Sequence, residues 1–186
     1  MDHFLKRKKD CLRKQDKSSI GSFDKKMLGL CEKINKLENY YTLSSCSGRI
    51  VLIKDIDKKI SDMFVFKSHD KIKVNDLTNA LENYSGKENL VFKIEPCILH
   101  VACRSLVDAN KMLTKARYAG WKNSGIMSIA DSRIVLEMRS TESIALLILV
   151  RGKIIVDDNY LKVLIAESNR KLGKTWKKIE NLEKNL

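Results

Sequence analysis

GIMSIADSRIVLEMRSTESIALLILV, residues 125–150, is the stretch that decides the class of fold. Three runs rich in aliphatic residues follow one another at 125–130, 133–139 and 144–150, with two and then four polar or charged residues between them. Strands joined by such short connections pair antiparallel, because a parallel pair needs a crossover of about a dozen residues or more. This stretch therefore predicts an antiparallel sheet.

The sequence before and after this stretch adds further strands and a helix at each end. Strand-like runs are predicted at 40–45, 49–53, 63–68, 90–95 and 98–104. The spacing of apolar residues predicts helices at 3–15, 23–37, 74–84, 106–119 and from Asp157 or Asp158 to about residue 183. The predicted fold is α+β: one domain over residues 1–186, with a largely antiparallel, mixed sheet and helices at both termini.

The charge of the chain favours a polyanionic partner. The 186 residues include 36 Lys and Arg against 23 Asp and Glu, a net charge of +13. Nucleic acid is the common partner for such an excess, although solvated helix faces would produce the same composition. The basic residues are densest near the start, at Lys6, Arg7, Lys8, Lys9, Arg13, Lys14 and Lys17.

Several function classes are disfavoured by the sequence. Its longest apolar run, 144–150, is far shorter than the roughly 20 residues that a membrane helix needs, and no secretory signal opens the chain. We therefore expect a cytoplasmic protein without a membrane partner. The sequence has no glycine-rich nucleotide-binding motif, and its three histidines and irregularly spaced cysteines predict no metal site. The cysteines predicted as small core residues are Cys11, Cys31, Cys97 and Cys103.

The most informative polar segment is TLSSCSGR, residues 42–49. A Ser/Gly turn between strands directs backbone N–H groups and hydroxyls to one point, where they can hold a carboxylate or a phosphate. Arg49 adds a planar guanidinium that can hold the same anion through two hydrogen bonds. The alternative is an ordinary turn whose serines bond their own backbone.

Three more polar groups lie at or beside predicted strands. His69, in Ser68-His69-Asp70, could transfer protons near neutral pH or could be an ordinary surface histidine. His100 lies among apolar neighbours and is predicted to be a satisfied core histidine. The segment Lys122-Asn123-Ser124-Gly125 opens a strand, and plain turn chemistry is the alternative to a binding role there.

Five sequence blocks occur in a fixed order along the chain. They are Ser19-Ile20-Gly21-Ser22-Phe23-Asp24, Ser44-Ser45-Cys46-Ser47-Gly48-Arg49-Ile50, Ser68-His69, Glu95-Pro96-x-x-Leu99-His100-Val101 and Asn123-Ser124-Gly125-Ile126. Together, and in this order, they resemble the wybutosine-synthesising tRNA methyltransferase family. The resemblance covers the chain from about residue 4 to residue 150.

The resemblance implies an S-adenosylmethionine-dependent enzyme. Members of this family N-methylate the wyosine-type modified guanosine at position 37 of phenylalanine tRNA, at the 3-amino-3-carboxypropyl-demethylwyosine N(4)-methylation step. It therefore implies S-adenosylmethionine as cofactor, the anticodon loop of phenylalanine tRNA as partner, and an α+β fold other than the doubly wound methyltransferase fold. The alternative is a noncatalytic, basic RNA-binding protein that docks on tRNA or ribosomal RNA.

The resemblance also suggests roles for individual residues. The candidates for taking up the proton released by the methylated nitrogen, or for offsetting the positive charge of the sulfonium, are Asp24, His69 and Glu95. The candidates for binding the cofactor are Ser45, Cys46, Ser47, Gly48, Arg49 and His100. The candidates for binding the substrate are Ser22, which is also the predicted cap of the second helix, Ser68, Lys122, Asn123, Ser124 and Gly125.

Overall fold

The computed structural model describes residues 2–13, 24–57 and 61–186. Within these ranges the helices are α1 (His3–Arg13), α2 (Leu28–Lys36), α3 (Val74–Glu82), α4 (Leu106–Tyr118) and α5 (Asp158–Lys184). The strands are β1 (Tyr40–Cys46), β2 (Arg49–Lys54), β3 (Phe64–Ser68), β4 (Leu90–Glu95), β5 (Ile98–Cys103), β6 (Gly125–Ala130), β7 (Arg133–Arg139), β8 (Ile144–Val150) and β9 (Lys153–Ile154).

The strands form two sheets, and every strand pair within the described residues is antiparallel. One sheet has the order β1-β5-β7-β6 and the other the order β3-β2-β4-β8-β9. The predicted α+β class, with antiparallel strands and helices at both ends, is confirmed. The single mixed sheet is corrected to two antiparallel ones, because β1 and β2 join different sheets although only Ser47 and Gly48 lie between them.

The chain divides into two compact units, each containing one sheet. Unit 1 consists of Met1–Ser47, Cys97–Thr141 and Thr175–Leu186, and it contains the four-stranded sheet. Unit 2 consists of Gly48–Pro96 and Glu142–Lys174, and it contains the five-stranded sheet. The chain passes from one unit to the other after residues 47, 96, 141 and 174, so that neither unit is one continuous segment.

The core of unit 1 lies on one face of its sheet, which we call the inner face. Apolar side chains of α2, α4 and the end of α5 pack there against alternate residues of β5 and β7, among them Leu30, Ile34, Leu99, Val101, Met112, Ala116, Leu136, Ile179 and Leu182. Trp121 is fully buried in this core, and its indole Nε1 donates a hydrogen bond to the Lys178 carbonyl at 3.0 Å. The helix predicted over 23–37 is α2, Leu28–Lys36; Leu30 and Ile34 of this helix are buried, as is Met27 directly before it.

Helix α1 packs on the opposite face of the same sheet, the outer face. Phe4 is buried against Tyr41, with the ring centroids 5.2 Å apart. Asp2 caps the helix, because its Oδ1 accepts hydrogen bonds from the backbone N–H groups of Phe4 and Leu5. The same carboxylate forms an ion pair with Arg104, which follows β5. The predicted cap of the second helix, Ser22, lies outside the described residues.

Unit 2 buries four consecutive apolar residues of β2, 50–53, and alternate apolar residues of β4. Ile50 and Leu52 on β2 and Leu90, Phe92 and Ile94 on β4 are almost fully buried. Two hydrogen bonds join Asn169 on α5 to Ile72, just before α3. The Ile72 backbone N–H donates to Asn169 Oδ1 at 3.0 Å, and Asn169 Nδ2 donates to the Ile72 carbonyl at 2.8 Å. No helix in the described ranges combines the length and apolarity needed to cross a membrane.

Three of the four cysteines predicted for the core are buried there. Cys31, Cys97 and Cys103 have relative exposures of 3%, 0% and 0%, whereas Cys11, a residue of α1, is half-buried against the cluster of Phe4 and Tyr41. Burial, with a smaller contribution from Asp108, raises the pKa of Cys103 to about 12. This thiol is therefore protonated and unreactive at neutral pH.

Candidate functional site

The Ser/Gly segment is mostly strand rather than turn. Ser45 and Cys46 belong to β1 and pair with Leu99 and Ile98 of β5, so the link to β2 consists of Ser47 and Gly48 alone. Gly48 has a φ of 92°, in the region that L side chains rarely adopt. The Ser/Gly turn predicted within residues 42–49 is therefore corrected to a two-residue link that needs a glycine at its second position.

Asp24 is held against this link. Its Oδ2 accepts a hydrogen bond from the Ser47 backbone N–H at 2.7 Å, and its Oδ1 accepts one from the Lys26 backbone N–H at 3.2 Å. The ammonium of Lys26 lies over the ring of Trp176 on α5, 4.3 Å from the ring centroid. The carboxylate predicted to act in catalysis is therefore fixed at the end of β1, within unit 1.

Two buried serines lie at the same end of the four-stranded sheet. The register pairs Cys46 with Ile98 and Ile98 with Arg139, so Ser47 and Ser140 each follow the last residue of a strand at this edge. The Ser140 backbone N–H donates to the Cys97 carbonyl at 3.2 Å.

Both serine side chains are fully buried, and neither hydroxyl has a hydrogen-bond partner among the residues that the structure describes. Buried polar atoms are rarely left in this state without a ligand, water or functional reason. Asp24 and Ser47 are joined by a hydrogen bond, and Ser140 lies at the same edge of the sheet on the other side of β5; we call these three residues the strand-end cluster.

Arg49, a predicted cofactor-binding residue, and Glu95, a predicted proton acceptor, form an ion pair in unit 2. The register places them directly opposite one another on β2 and β4, and the Arg49 Nε donates to Glu95 Oε2. The guanidinium carbon lies 5.0 Å from the ring centroid of Phe64. An anion bound by Arg49 would therefore meet the Nη groups of a guanidinium whose Nε is already engaged.

The Ser68 hydroxyl is used by the local backbone. Its Oγ donates to the Asp70 carbonyl at 2.9 Å and accepts from the Asp70 N–H at 3.0 Å, which closes a turn at the end of β3. His69, the next residue and a predicted proton acceptor, is half-buried in unit 2. This strand end has the turn geometry that serines commonly adopt.

His100 lies on the outer face of the four-stranded sheet, not in the core. Its Nδ1 shares a hydrogen bond of 2.7 Å with Ser44 Oγ, and its Nε2 shares one of 3.1 Å with Glu137 Oε2. Its side chain is 20% exposed. The prediction of a satisfied histidine is confirmed, and its predicted core location is wrong because strand alternation directs Leu99 and Val101 inward and His100 outward.

Two pockets adjoin His100 and Glu137 on this outer face. The first has a volume of about 320 Å³ and is lined by Leu43, Ser44, His100, Met127, Ser128, Arg133 and Val135. The second has a volume of about 210 Å³ and is lined by Asn123, Gly125, Ile126, Met127 and Glu137. Because Met127 lines both, we call the two pockets together the outer groove.

The segment Lys122–Gly125, predicted to bind substrate, contains one residue that stabilises a turn and two that line a pocket. Ser124 Oγ donates to the Trp121 carbonyl at 2.6 Å and accepts from the Arg139 N–H at 3.2 Å, so its hydroxyl stabilises the turn. Asn123 and Gly125, also predicted to bind substrate, line the second pocket. Lys122 is exposed beside them.

The structure thus gathers the predicted residues into three places. Asp24 and Ser47 meet at the strand-end cluster, Arg49 meets Glu95 in unit 2, and His100, Asn123 and Gly125 line the outer groove. Sequence reasoning missed Ser140, Glu137 and Arg133. Two of these residues are brought to the sites by the strand register, which places Ser140 level with Ser47 and Glu137 opposite His100.

Comparison with known protein families identifies the chain as a methyltransferase-family protein. Residues 6–186 match a methyltransferase family whose description is Methyltransferase TYW3. The chain belongs to this TYW3 methyltransferase family, as the resemblance predicted, and the match extends through α5, beyond the stretch that carried the resemblance.

Relatives with a described activity agree with this membership. A Methanocaldococcus jannaschii protein described as tRNA(Phe) 7-((3-amino-3-carboxypropyl)-4-demethylwyosine(37)-N(4))-methyltransferase is 40% identical over 156 residues, which cover 82% of this chain and 80% of that protein. A Danio rerio protein described as a tRNA wybutosine-synthesizing protein 3 homolog is 33% identical over 190 residues, covering 100% of this chain and 75% of that protein.

A solved structure shares the fold. The PH1069 protein from Pyrococcus horikoshii superimposes with a TM-score of 0.89 at 31% identity, over 98% of this chain and 93% of that one. The α+β architecture with two antiparallel sheets is therefore one that this similar protein also adopts.

Proposed function

We propose that this protein methylates N(4) of the 3-amino-3-carboxypropyl-demethylwyosine at position 37 of phenylalanine tRNA, with S-adenosylmethionine as methyl donor. The family match over residues 6–186 carries the reaction class, and the name of the 40% identical relative supplies the base and the tRNA. The noncatalytic RNA-binding alternative is not favoured, because the family is one of methyltransferases.

The chemistry of the strand-end cluster fits the methyl donor. S-adenosylmethionine carries hydroxyl and ammonium donors together with carboxylate and ring-nitrogen acceptors. The Asp24 carboxylate accepts hydrogen bonds, and the two buried serine hydroxyls can both donate and accept. The observation that carries this assignment is that Ser47 Oγ and Ser140 Oγ are buried with no partner among the described side chains and backbone.

When bound, S-adenosylmethionine supplies a methyl group made electrophilic by the attached sulfonium. The part of this chain is to bind, to orient and to balance charge, since displacement at a methyl group depends mainly on alignment. Asp24, oriented by the Ser47 N–H, holds negative charge where a positive ligand group would be stabilised. We keep Ser45, Cys46, Gly48 and Arg49 as proposed cofactor-binding residues. His100, predicted in the same role, lines the outer groove, and we propose that it contacts the substrate there instead.

The proton released by the methylated nitrogen needs an acceptor, and we propose His69 for this role ahead of Glu95. An imidazole accepts a proton near neutral pH, whereas the Glu95 carboxylate is already paired with Arg49. Ser22, Ser68, Lys122, Asn123, Ser124 and Gly125 remain proposed substrate-binding residues.

Helix α1 is proposed to lie along the tRNA backbone. Its exposed basic side chains include Lys6, Arg7, Lys9 and Arg13, and they add to a chain with a net charge of +13. Phosphate contacts of this kind supply affinity without base specificity. Because the chain passes four times between its units, we propose that residues 1–186 act as one functional domain, in the cytoplasm with its tRNA.

The decisive experiment uses phenylalanine tRNA from cells that lack this gene. Incubation with purified protein and S-adenosylmethionine should add the mass of one methyl group to the nucleoside at position 37, read by mass spectrometry. S-adenosylmethionine should also raise the Tm of the protein alone. A folded protein that binds the tRNA, adds no methyl group and shows an unchanged Tm would instead be the noncatalytic RNA binder.

A further inference from the structure

We propose that the outer groove holds an unpaired RNA strand, with two successive nucleotides in the two pockets that meet at Met127. The inference rests on the proposed function to the extent that the RNA is taken to be the tRNA substrate. It assigns a part of the RNA-binding surface to the face of the four-stranded sheet opposite its core.

The walls of the groove suit flat, mostly apolar groups. Met127 is 65% exposed and lies between the two pockets, and Leu43, Val135 and Ile126 supply further apolar surface. Methionine is flexible and polarizable, so it packs readily on rings of different shape. The larger pocket, at about 320 Å³, is within the size range of small-molecule sites.

The polar groups of the groove differ between its two pockets. In the first, Arg133 Nη1 donates to Tyr41 Oη at 3.1 Å, which positions a guanidinium that can bind a phosphate through other N–H groups. In the second, Glu137 offers a carboxylate beside Asn123; its Oε2 shares a hydrogen bond with His100, and its Oε1 lies 3.7 Å from Arg139 Nη1. Each carboxylate oxygen has a further lone pair, which can accept a hydrogen bond from the amino group of a base.

Tyr41 connects the groove with α1. Its ring packs on Phe4 of the helix and its hydroxyl accepts from Arg133 of the groove. The exposed basic side chains of α1 therefore belong to the same face of the sheet as the Arg133 guanidinium. This distribution complements a strand that bears phosphates on the α1 side and bases towards Glu137.

The test compares three variants by their affinity for a phenylalanine tRNA transcript, measured at several salt concentrations. Arg133→Gln should weaken binding about tenfold. It should also reduce the slope of log affinity against log salt concentration by about 0.7 to 0.9, which is the contribution of one phosphate contact. Met127→Glu should weaken binding through an added charge. Lys111→Gln, on the exposed side of α4 over the inner face, is the matched control and should behave as wild type.

The outcomes separate this inference from the proposed function. If wild-type protein methylates tRNA, and Arg133→Gln and Met127→Glu bind it with unchanged affinity and salt slope, the groove is not an RNA site although the function stands. If both variants lose tRNA affinity while wild type transfers no methyl group, the RNA surface stands and the proposed reaction fails.

Unfolding of a variant, or a change in its oligomeric state, would alter how the affinities are interpreted. Should Arg133→Gln unfold through loss of its Tyr41 contact, Met127→Glu decides alone, because its side chain is mostly exposed and unfolding is not expected. If Met127→Glu changes the sedimentation of the protein but not its tRNA affinity, the exposed β6 edge binds a second protein copy and the RNA inference is overturned.

Discussion

The Ser47 backbone N–H donates to Asp24 Oδ2 at 2.7 Å, and this bond fixes a carboxylate beside a buried serine hydroxyl. A charged acceptor so placed can stabilise a cationic ligand without further reorganisation. The relationship is local to unit 1.

Asp24→Asn should keep the hydrogen bond to Ser47, through the amide oxygen, and lose the charge. We expect the protein to remain folded and its affinity for S-adenosylmethionine to fall about ten- to a hundredfold, the worth of a charge-assisted contact of about 1.5–3 kcal/mol. Isothermal titration measures the effect. Glu82→Gln, an exposed change on α3, is the control, and equal affinities for the two variants would remove Asp24 from the cofactor site.

Ser47→Ala and Ser140→Ala should weaken the binding of S-adenosylmethionine without lowering the stability of the protein. Each buried hydroxyl lacks a partner among the described residues, and such a group costs about 1–3 kcal/mol. Removing it should leave the Tm of the ligand-free protein unchanged or higher, while weakening the binding of S-adenosylmethionine. A lower Tm together with unchanged cofactor affinity would show that the hydroxyls serve the fold.

Gly48→Ala should destabilise the protein. An L side chain at a φ of 92° costs about 1–2 kcal/mol, whatever the activity of the site. Thermal melting measures the loss. Gly125→Ala is a matched control, because its added Cβ would meet open space and its φ is not in the left-handed region. Equal melting temperatures for the two variants would contradict the prediction.

Arg49→Lys should retain charge but lose the planar geometry that pairs with Glu95. We expect kcat/KM to fall about ten- to a hundredfold while the fold survives, because lysine cannot hold two partners bidentately. Glu95→Gln, measured in parallel, shows whether the pair acts as a unit. A fully active Arg49→Lys enzyme would make this pair a structural element of the sheet, and the anion site would then be sought around Lys122-Asn123-Ser124.

The docking of α1 should depend on pH. Hydrogen bonding from the Leu5 backbone N–H, assisted by Arg104, lowers the pKa of Asp2 from its ordinary 3.8. Because the folded pKa lies below the unfolded one, the stabilisation is present above pH 3.8 and is lost as the pH falls through the folded pKa. The Tm difference between wild type and Asp2→Asn should therefore be largest near neutral pH and vanish in strong acid. A difference that grows on acidification would contradict this sign.

Much of the secondary structure could be predicted because its signals are local. The strands at 90–95, 125–130, 133–139 and 144–150 have the predicted bounds, and Ser105 caps α4 by accepting from the Asp108 N–H. The two-residue strand β9 was missed because it is too short to show a period.

The division into two sheets could not be predicted, since it depends on pairing between distant segments. Tyr40 pairs with Cys103 and Arg49 with Glu95, so residues that adjoin the Ser47-Gly48 link select partners far along the chain. The Arg49–Glu95 pair and the level position of Ser140 follow only from this register. The outward direction of His100, in contrast, was available from strand alternation between Leu99 and Val101.

The four passages of the chain between its units have a consequence for synthesis. The core of unit 1 includes Ile179 and Leu182, and the indole of Trp121 donates to the Lys178 carbonyl, so α5 must be made before that core closes. All strands of the four-stranded sheet leave the ribosome earlier, and the part of their inner face that α2 and α4 do not cover stays exposed until α5 is made. A nascent chain halted before residue 175 would therefore expose Trp121 and be a target for chaperones, whereas one extended through α5 would be protected.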